Sequence, residues 1–256
     1  MVQKFILPTI QEEIDLVRSK PFLYWYNIKF GTKELICFGL HHTKDASHIQ
    51  FNKLKEILID FNPQCVILEA TEDFVKSLKN NIHSTRDERE IICALLENKA
   101  MVIGGDLKIR ETMMFLPKNK FSEDDILITL LLYQVHARSK KEKLAPIDIF
   151  LEELTKENVN ENEKILTKTN EYLKIMYGKP LDEMNSKDNI YPIPVKEKCI
   201  LNKISRKISE IRDNNMLETI ETNIKRFDRV IFFAGRNHVI RQENFIKNVL
   251  LHSLKI

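Results

Sequence analysis

Glycine is scarce in this sequence, and its few glycines form no common catalytic or cofactor-binding motif. Only 6 of the 256 residues are glycine. They compose no P-loop, no dinucleotide-binding GxGxxG turn and no GxSxG nucleophile elbow, and an HExxH zinc signature is also absent. These absences argue against the nucleotide-binding, serine-hydrolase and zincin mechanisms that depend on such motifs.

Cysteine is also rare, and its spacing excludes the usual paired motifs. The chain has 4 cysteines, and no two of them form a CxxC pair. Cys37 and Cys65 lie inside apolar runs, where a free thiol behaves as a small hydrophobic group. Because disulfides are rare in reducing compartments, we expect reduced core cysteines and a cytoplasmic protein.

Neither sign of charge dominates, and no hydrophobic run is long. The 40 basic and 37 acidic residues leave a formal net charge of +3, whereas nucleic-acid binding usually requires a concentrated basic face. No apolar run approaches the roughly 18 residues that indicate a membrane-spanning helix, and the N-terminus has no secretory pattern. We therefore expect neither a nucleic-acid partner nor a membrane partner.

Strand and helix patterns alternate towards both ends of the chain. Residues 23–38 have the composition of a β-hairpin, and residues 54–61 place their apolar side chains on one helical stripe. Buried strands are predicted over residues 65–69, 100–106 and 230–234. This alternation predicts an α/β fold with a mainly parallel central sheet that is flanked by helices.

The middle of the chain has a different character. Helical periodicity replaces the strand signals over residues 117–190, which predicts a helical insertion within a single α/β domain of residues 1–256. Beyond it a helix is predicted from Ile200, and the polar segment Asp213–Asn215 predicts the start of another. A closing helix is predicted from Ile240 to Leu251.

Two corners with the same spacing follow buried strands near the two ends of the chain. Each is a glycine, two further residues and a histidine: Gly39 leads to His42, and Gly235 leads to His238. Glycine at a strand end permits either a positive φ or the close approach of another backbone. Neutral imidazole can bind a metal or accept a proton from water. The repetition predicts that both corners contribute to one polar site. Because His41 and His42 point to opposite sides of an extended segment, His42 is the favoured site residue and His41 a supporting one.

Acidic and basic residues accompany these corners. Glu69 follows four apolar residues, and a buried carboxylate needs a cationic partner or a metal. It can serve as a general base or metal ligand, or alternatively as a salt-bridge or helix-cap partner. Asp106 ends the next predicted strand, at the sheet edge where ligands bind in parallel sheets. Arg212 can clamp a carboxylate or an oxyanion, or can form an exposed ion pair with Asp213.

Four segments in this order resemble the motifs of one superfamily. They are Phe38–His42, Pro63–Glu69, Arg212–Met216 and Phe233–Val239. The superfamily comprises the TraB/PrgY pheromone-shutdown proteins, the Tiki proteases, the GumN-like proteins, and the erythromycin esterase and ChaN-like proteins. Leu40 stands where the erythromycin esterase branch has glutamate, and the spacing is closer to the TraB and Tiki pattern.

The resemblance implies two pseudo-related halves around one cleft, with His42, Glu69, Arg212 and His238 as catalytic residues. It implies a hydrolase that cleaves a peptide or ester-like bond in a peptide or small-molecule substrate. The activity would depend on a divalent metal such as Mn²⁺, Co²⁺ or Zn²⁺, with His42, Glu69 and His238 as ligands. The alternative is a non-catalytic ligand-binding or signalling protein of the TraB/ChaN type, which would hold a peptide or haem.

Overall fold

The structure is a computed structural model. It describes residues 4–43, 45, 47–79, 88–96, 99–117, 119–138, 147–155, 159–184 and 199–250. Several residues of the predicted insertion, among them 139–146, 156–158 and 185–190, lie outside the described residues, as does Leu251 at the end of the predicted closing helix.

A five-stranded, mostly parallel sheet forms the centre of the fold. Its strands are β1 (Tyr24–Phe30), β2 (Lys33–Leu40), β3 (Cys65–Leu68), β4 (Met101–Gly104) and β5 (Arg229–Gly235). Their order in the sheet is β1-β2-β5-β3-β4. The β1–β2 pair is the predicted hairpin and is antiparallel, whereas all other neighbours are parallel. The predicted α/β class is therefore confirmed.

Helices account for most of the remaining described residues. Their bounds are α1 Ile10–Ser19, α2 Ile49–Phe61, α3 Glu72–Lys79, α4 Glu88–Leu96, α5 Ile109–Phe115, α6 Glu123–Arg138, α7 Ile147–Thr155, α8 Val159–Tyr177, α9 Ile200–Arg226 and α10 Arg236–Phe245. A short 3-10 helix, Leu181–Glu183, follows α8, and a π-helical turn, Ile246–Leu250, follows α10. Among the described residues, no helix combines the length and the apolar character that crossing a membrane requires.

Internal contacts divide the chain into two compact units. The first combines Met1–Lys108 with Glu210–Ile256 and contains the whole sheet. The second is Ile109–Ser209, and its described elements are helical. The predicted helical insertion over residues 117–190 falls within this second unit.

Both faces of the sheet are covered by apolar side chains. On β2, Leu35 and Cys37 belong to one buried cluster, and Ile36 and Phe38 belong to another. This alternation follows from the two-residue period of a strand. Because both faces are buried, β2 and β5 appear in the sequence as continuous apolar runs rather than as alternating ones.

The strand order brings the two predicted corners side by side. β5 lies between β2 and β3, and its register pairs Gly39 with Ala234 and Leu40 with Gly235. Parallel strands end at the same edge of a sheet, so the segments that follow β2 and β5 leave the sheet next to each other. The two glycine–histidine corners, nearly 200 residues apart in sequence, are thus neighbours in space.

Two predicted helix boundaries are wrong. No new helix starts at Asp213, because α9 continues without interruption from Ile200 to Arg226. The second error concerns the closing helix, which begins at Arg236 rather than at Ile240. His238 consequently lies in the first turn of a helix and not in a loop.

Candidate functional site

A polar pocket of about 300 Å³ lies where β2, β5, β3 and β4 end. It belongs entirely to the first unit. Its lining residues are Leu40, His42, Leu68, Glu69, Ala70, Thr71, Phe74, Glu88, Arg89, Asp106, Arg212, Phe233 and Gly235. The location agrees with the rule that ligands bind at the carboxyl ends of parallel strands.

Glu69 occupies the centre of this group. Its Oε1 atom accepts a hydrogen bond from Arg212 Nη2 at 2.8 Å, and its Oε2 atom accepts one from the Gly235 backbone N–H at 2.6 Å. The Nε2 atom of His238 lies 3.4 Å from Oε1. Burial disfavours the charged form of Glu69, but His238, Arg212 and the Gly235 N–H outweigh burial and lower the pKa of Glu69 to about 2. Glu69 is therefore ionised at neutral pH.

Arg212 joins the ends of two strands. Besides Glu69 it binds Asp106, to which its Nε atom donates at 2.9 and 3.1 Å and its Nη2 atom at 2.5 Å. The guanidinium fork suits such paired acceptors, as the sequence predicts. The carboxylates that Arg212 contacts belong to the protein itself, and the binding of a substrate carboxylate or oxyanion by Arg212 stays a prediction.

His42 forms the first carboxylate–imidazole pair of the site. Its Nδ1 atom lies 2.6 Å from Oε1 of Glu88, a buried residue at the start of α4. The hydrogen bond to Glu88 raises the pKa of His42, burial opposes this effect, and Glu69 adds to it. Because Nδ1 is engaged by Glu88, Nε2 is the ring nitrogen left towards Gly235 and Glu69.

His238 forms the second pair, with Asp213. Its Nδ1 atom lies 2.5 Å from Oδ1 of Asp213, which also accepts from Gln242, while Oδ2 accepts from Arg241. Burial alone would raise the pKa of Asp213, but Arg241 and His238 lower it to about 2. Nη2 of Arg241 also lies 2.7 Å from Nδ1 of His238, so this nitrogen faces both the Asp213 carboxylate and the Arg241 guanidinium. Nε2 of His238 is directed at Glu69.

His41 is turned away from the pocket. Its Nε2 atom lies 2.7 Å from the Phe22 carbonyl oxygen, and its ring stacks on Phe22 with centroids 3.9 Å apart. Gln50 binds both the backbone N–H and the carbonyl of His41. The predicted opposite orientation of the two adjacent histidines is therefore observed, and His41 anchors the strand end.

Close approach, not a positive φ, explains the two corner glycines. A Cβ atom on Gly235 would lie 3.1 Å from His42 Nε2 and 3.2 Å from Glu69 Oε2. A Cβ atom on Gly39 would lie 2.9 Å from the Cα atom of Arg236. Neither glycine has a positive φ. The absence of side chains here allows the two corners and Glu69 to approach one another.

The structure brings together most of the residues predicted as site residues and adds others. His42, Glu69, Asp106 and Arg212 line the pocket, and Nε2 of His238 lies 3.4 Å from Oε1 of Glu69. Glu88, Arg89 and Arg241 are not predicted from the sequence. Glu88 and Arg89 resemble ordinary charged residues of a helix N-terminus. Arg241 lies three residues after His238, a spacing that brings two side chains together on a helix. Because the closing helix is predicted to start only at Ile240, the sequence does not indicate this pair.

The three predicted metal ligands converge, but they are engaged with other groups. Within the described part of the chain, no group of three or more His, Cys, Asp or Glu side chains is placed to hold a metal ion. Both oxygens of Glu69 accept hydrogen bonds from protein groups, and Arg212 already supplies positive charge there. This arrangement does not fit a metal centre.

No protein-family model matches the chain, and no curated protein is significantly similar to it.

Proposed function

We propose that this protein is a hydrolase that cleaves a peptide or ester-like bond, with His42 as the general base. The observation that supports this proposal is the pairing of His42 Nδ1 with Glu88 while Nε2 faces the pocket beside Glu69. A carboxylate that holds one imidazole nitrogen fixes the tautomer in which the other can accept a proton. The resemblance to the TraB and Tiki motifs, itself a hypothesis, leads to the same reaction class.

The proposed reaction uses water as the nucleophile. Nε2 of His42 takes a proton from water while the water oxygen adds to the carbonyl carbon of the substrate. The bond from that carbon to the leaving oxygen or nitrogen then breaks, and the proton on Nε2 passes to the leaving group. The products are a carboxylic acid and an alcohol or amine.

Glu69 has a supporting part in this proposal. A carboxylate with a pKa of about 2 is a weak base at neutral pH, which disfavours the predicted general-base role. Its fixed negative charge instead stabilises the imidazolium that forms on His42, in agreement with its effect on the pKa of that residue. His238 and Arg212 hold Glu69 in place.

Two parts of the sequence prediction remain predictions. One is that Arg212 stabilises an oxyanion, although its Nε and Nη2 atoms donate to Asp106 and Glu69. The other is dependence on Mn²⁺, Co²⁺ or Zn²⁺, which the resemblance alone supports. A cytoplasmic location likewise rests on free cysteines, including buried Cys37 and Cys65.

The binding alternative has one observation in its favour. Both oxygens of Glu69 accept hydrogen bonds from Arg212 and Gly235, which engages this carboxylate in binding protein groups rather than in a reaction. A haem is disfavoured as the ligand because charged side chains line much of this pocket, whereas cofactor pockets are mostly apolar.

The test is a screen of the purified protein against 4-nitrophenyl esters and fluorogenic peptides, with EDTA or with each of the three metals. In His42→Asn, we expect kcat/KM to fall by about 100-fold or more, because the general base is lost. His48→Asn is the matched control: His48 caps α2 by accepting from the Gln50 N–H, and asparagine also caps helices well.

Full activity in His42→Asn would refute the assignment of the base. Turnover that appears only with added metal would support the metal prediction. If the protein turns over no substrate but binds a peptide, and Glu69→Gln abolishes that binding, the non-catalytic alternative is favoured.

A further inference from the structure

A second cavity, of about 480 Å³, lies between the β1–β2 hairpin and α2. It shares no lining residue with the pocket that contains His42 and Glu69. Arg229, the first residue of β5, lines this cavity, whereas Gly235 at the other end of the same strand lines the first pocket. Six residues of extended strand correspond to about 20 Å. The second cavity is therefore a separate candidate site.

The charges of this cavity do not all compensate one another. Six charged side chains, three of each sign, line it. Four of them form two ion pairs, Lys29 with Glu34 at 3.3 Å and Lys53 with Glu56 at 3.0 Å. The remaining two are Asp60 and Arg229, and within the described part of the chain neither of them forms an ion pair. One carboxylate and one guanidinium are thus left for a ligand.

The backbone fixes these two groups at the same end of the cavity. The Nε atom of Arg229 donates to the carbonyl oxygen of Asn62 at 2.9 Å. Asn62 ends α2 in the left-handed conformation, with a φ of 47°, and Asp60 lies two residues earlier in the last turn of that helix. Because Asn62 engages only Nε, the two terminal nitrogens of the guanidinium can donate to a ligand.

Apolar side chains form the floor beside these charges. Ile36 of β2 and Ile57 and Phe61 of α2 line the cavity, and each is largely buried against the core. A ligand that matches this surface carries a negative and a positive group close together, with an apolar group next to them.

We propose that this cavity binds a free α-amino acid with an apolar side chain. The carboxylate of the amino acid would accept two hydrogen bonds from Arg229, its ammonium group would donate to Asp60, and its side chain would cover Ile36 and Ile57. Hydrogen bonds between charged groups are stronger than neutral ones, and the side chain adds apolar burial. This inference does not depend on the proposed function, because the two cavities are separate.

The test compares four ligands with the native protein by calorimetry. L-leucine carries both charges, L-leucinamide lacks the carboxylate, N-acetyl-L-leucine lacks the ammonium group, and glycine lacks the side chain. We expect leucine to bind about tenfold more tightly than the amide or the acetylated analogue, and several-fold more tightly than glycine. Trp25 is the only tryptophan of the chain and lines this cavity, so its fluorescence should change when leucine binds.

Two variants assign the two charges of the ligand separately. Arg229→Gln should bind leucine and leucinamide about equally while still preferring leucine to N-acetyl-leucine. Asp60→Asn should show the reverse pattern. Arg226→Gln and Asp15→Asn are the matched controls, since both side chains are exposed and outside the cavity, and they should leave all four affinities unchanged.

Circular dichroism and thermal melting identify a variant that fails to fold. Arg229→Lys would then replace Arg229→Gln, and it should retain part of the preference for leucine over leucinamide. The comparison of ligands on the native protein needs no variant.

Equal binding of leucine and its two analogues to the native protein, or no binding of leucine, would overturn the inference. Binding that leaves the fluorescence of Trp25 unchanged, or that is unaffected in both Arg229→Gln and Asp60→Asn, would overturn it as well. These measurements involve no turnover, so their failure leaves the proposed hydrolase function intact.

Discussion

Two carboxylate–imidazole pairs flank the same glutamate, and they differ most in burial. The side chain of His42 is 70% exposed, whereas that of His238 is 14% exposed. Glu88 pairs with His42 from the first turn of a short helix. Asp213 pairs with His238 from the interior of the longest described helix, and it is completely buried.

This difference suggests a division of labour between the pairs. Both oxygens of Asp213 accept hydrogen bonds or contacts from His238, Arg241 and Gln242. A buried polar network of this kind fixes geometry and tolerates the loss of a member poorly. The exposed imidazole of His42 can contact a substrate and exchange protons with water. Under the proposed function, the chemistry therefore belongs to His42, and His238 supports Glu69.

The largest expected effect is the loss of the buried carboxylate. Asp213→Asn leaves Arg241 and His238 without their shared anion, and we expect the free energy of unfolding to fall by about 3–5 kcal/mol. Urea denaturation measures this change. Asp228→Asn is the control, since Asp228 is exposed and forms a weak ion pair with Lys33 at 3.5 Å. This change should lower the free energy of unfolding by less than about 1 kcal/mol. A loss in Asp213→Asn as small as that in the control would contradict the division of labour.

The next effect is the response of stability to acid. Glu69 and Asp213 have pKa values of about 2 in the folded protein, below their ordinary values of 4.5 and 3.8. Their contribution to stability is complete above the ordinary values and is lost as the pH falls through the folded ones. We expect each to account for about 2–3 kcal/mol between roughly pH 5 and pH 2.

Urea denaturation at several pH values checks this expectation, and Glu69→Gln should flatten the acid slope. The raised pKa of His42 has the opposite sign: its contribution is present below the ordinary value of 6.5 and is lost as the pH rises through the folded value. That alkaline change should be small because His42 is exposed. If the free energy of unfolding fell more on the alkaline side than on the acid side, the His42–Glu88 pair would contribute more to stability than the buried carboxylates, contrary to this comparison.

The smallest expected effect on stability comes from the His42–Glu88 pair, whose imidazole is exposed. Glu88→Gln removes the charge that raises the pKa of His42, so this pKa should fall towards its ordinary value. NMR titration of the imidazole C–H signals measures the shift, and the acid limb of the kcat profile should move with it. Glu56→Gln, which changes an exposed acid next to Lys53, should leave both unchanged. An unaltered His42 titration in Glu88→Gln would refute the pairing.

Local sequence patterns predict much of the first unit. The hairpin, α2 and the strands beginning near Cys65 and Met101 appear where apolar periodicity places them. Glu69 and Asp106 are found at strand ends because burying a carboxylate among apolar side chains is costly, which favours its position at the edge of the sheet. Most of the candidate site could therefore be located from single segments.

The error at Asp213 has a physical cause. Four consecutive polar residues, 212–215, interrupt the apolar period of α9, which resembles a helix end. Each of them instead binds a partner in the fold: Arg212 contacts Glu69, Asp213 contacts His238, Asn214 contacts Phe5 and Asn215 contacts Gly105. The side chains of four consecutive helical residues point in different directions around the helix, so this turn has polar partners on several sides and no apolar face.

The sequence by itself determined the α/β class and the presence of two histidine corners and two carboxylates at strand ends, since apolar runs and their limits are local properties. Only the tertiary structure decided which carboxylate holds which imidazole or guanidinium group. Those partners are 46 residues apart for His42 and Glu88 and 143 for Arg212 and Glu69. They meet because β5 lies between β2 and β3, and that order depends on the packing of the whole sheet, which no single segment specifies.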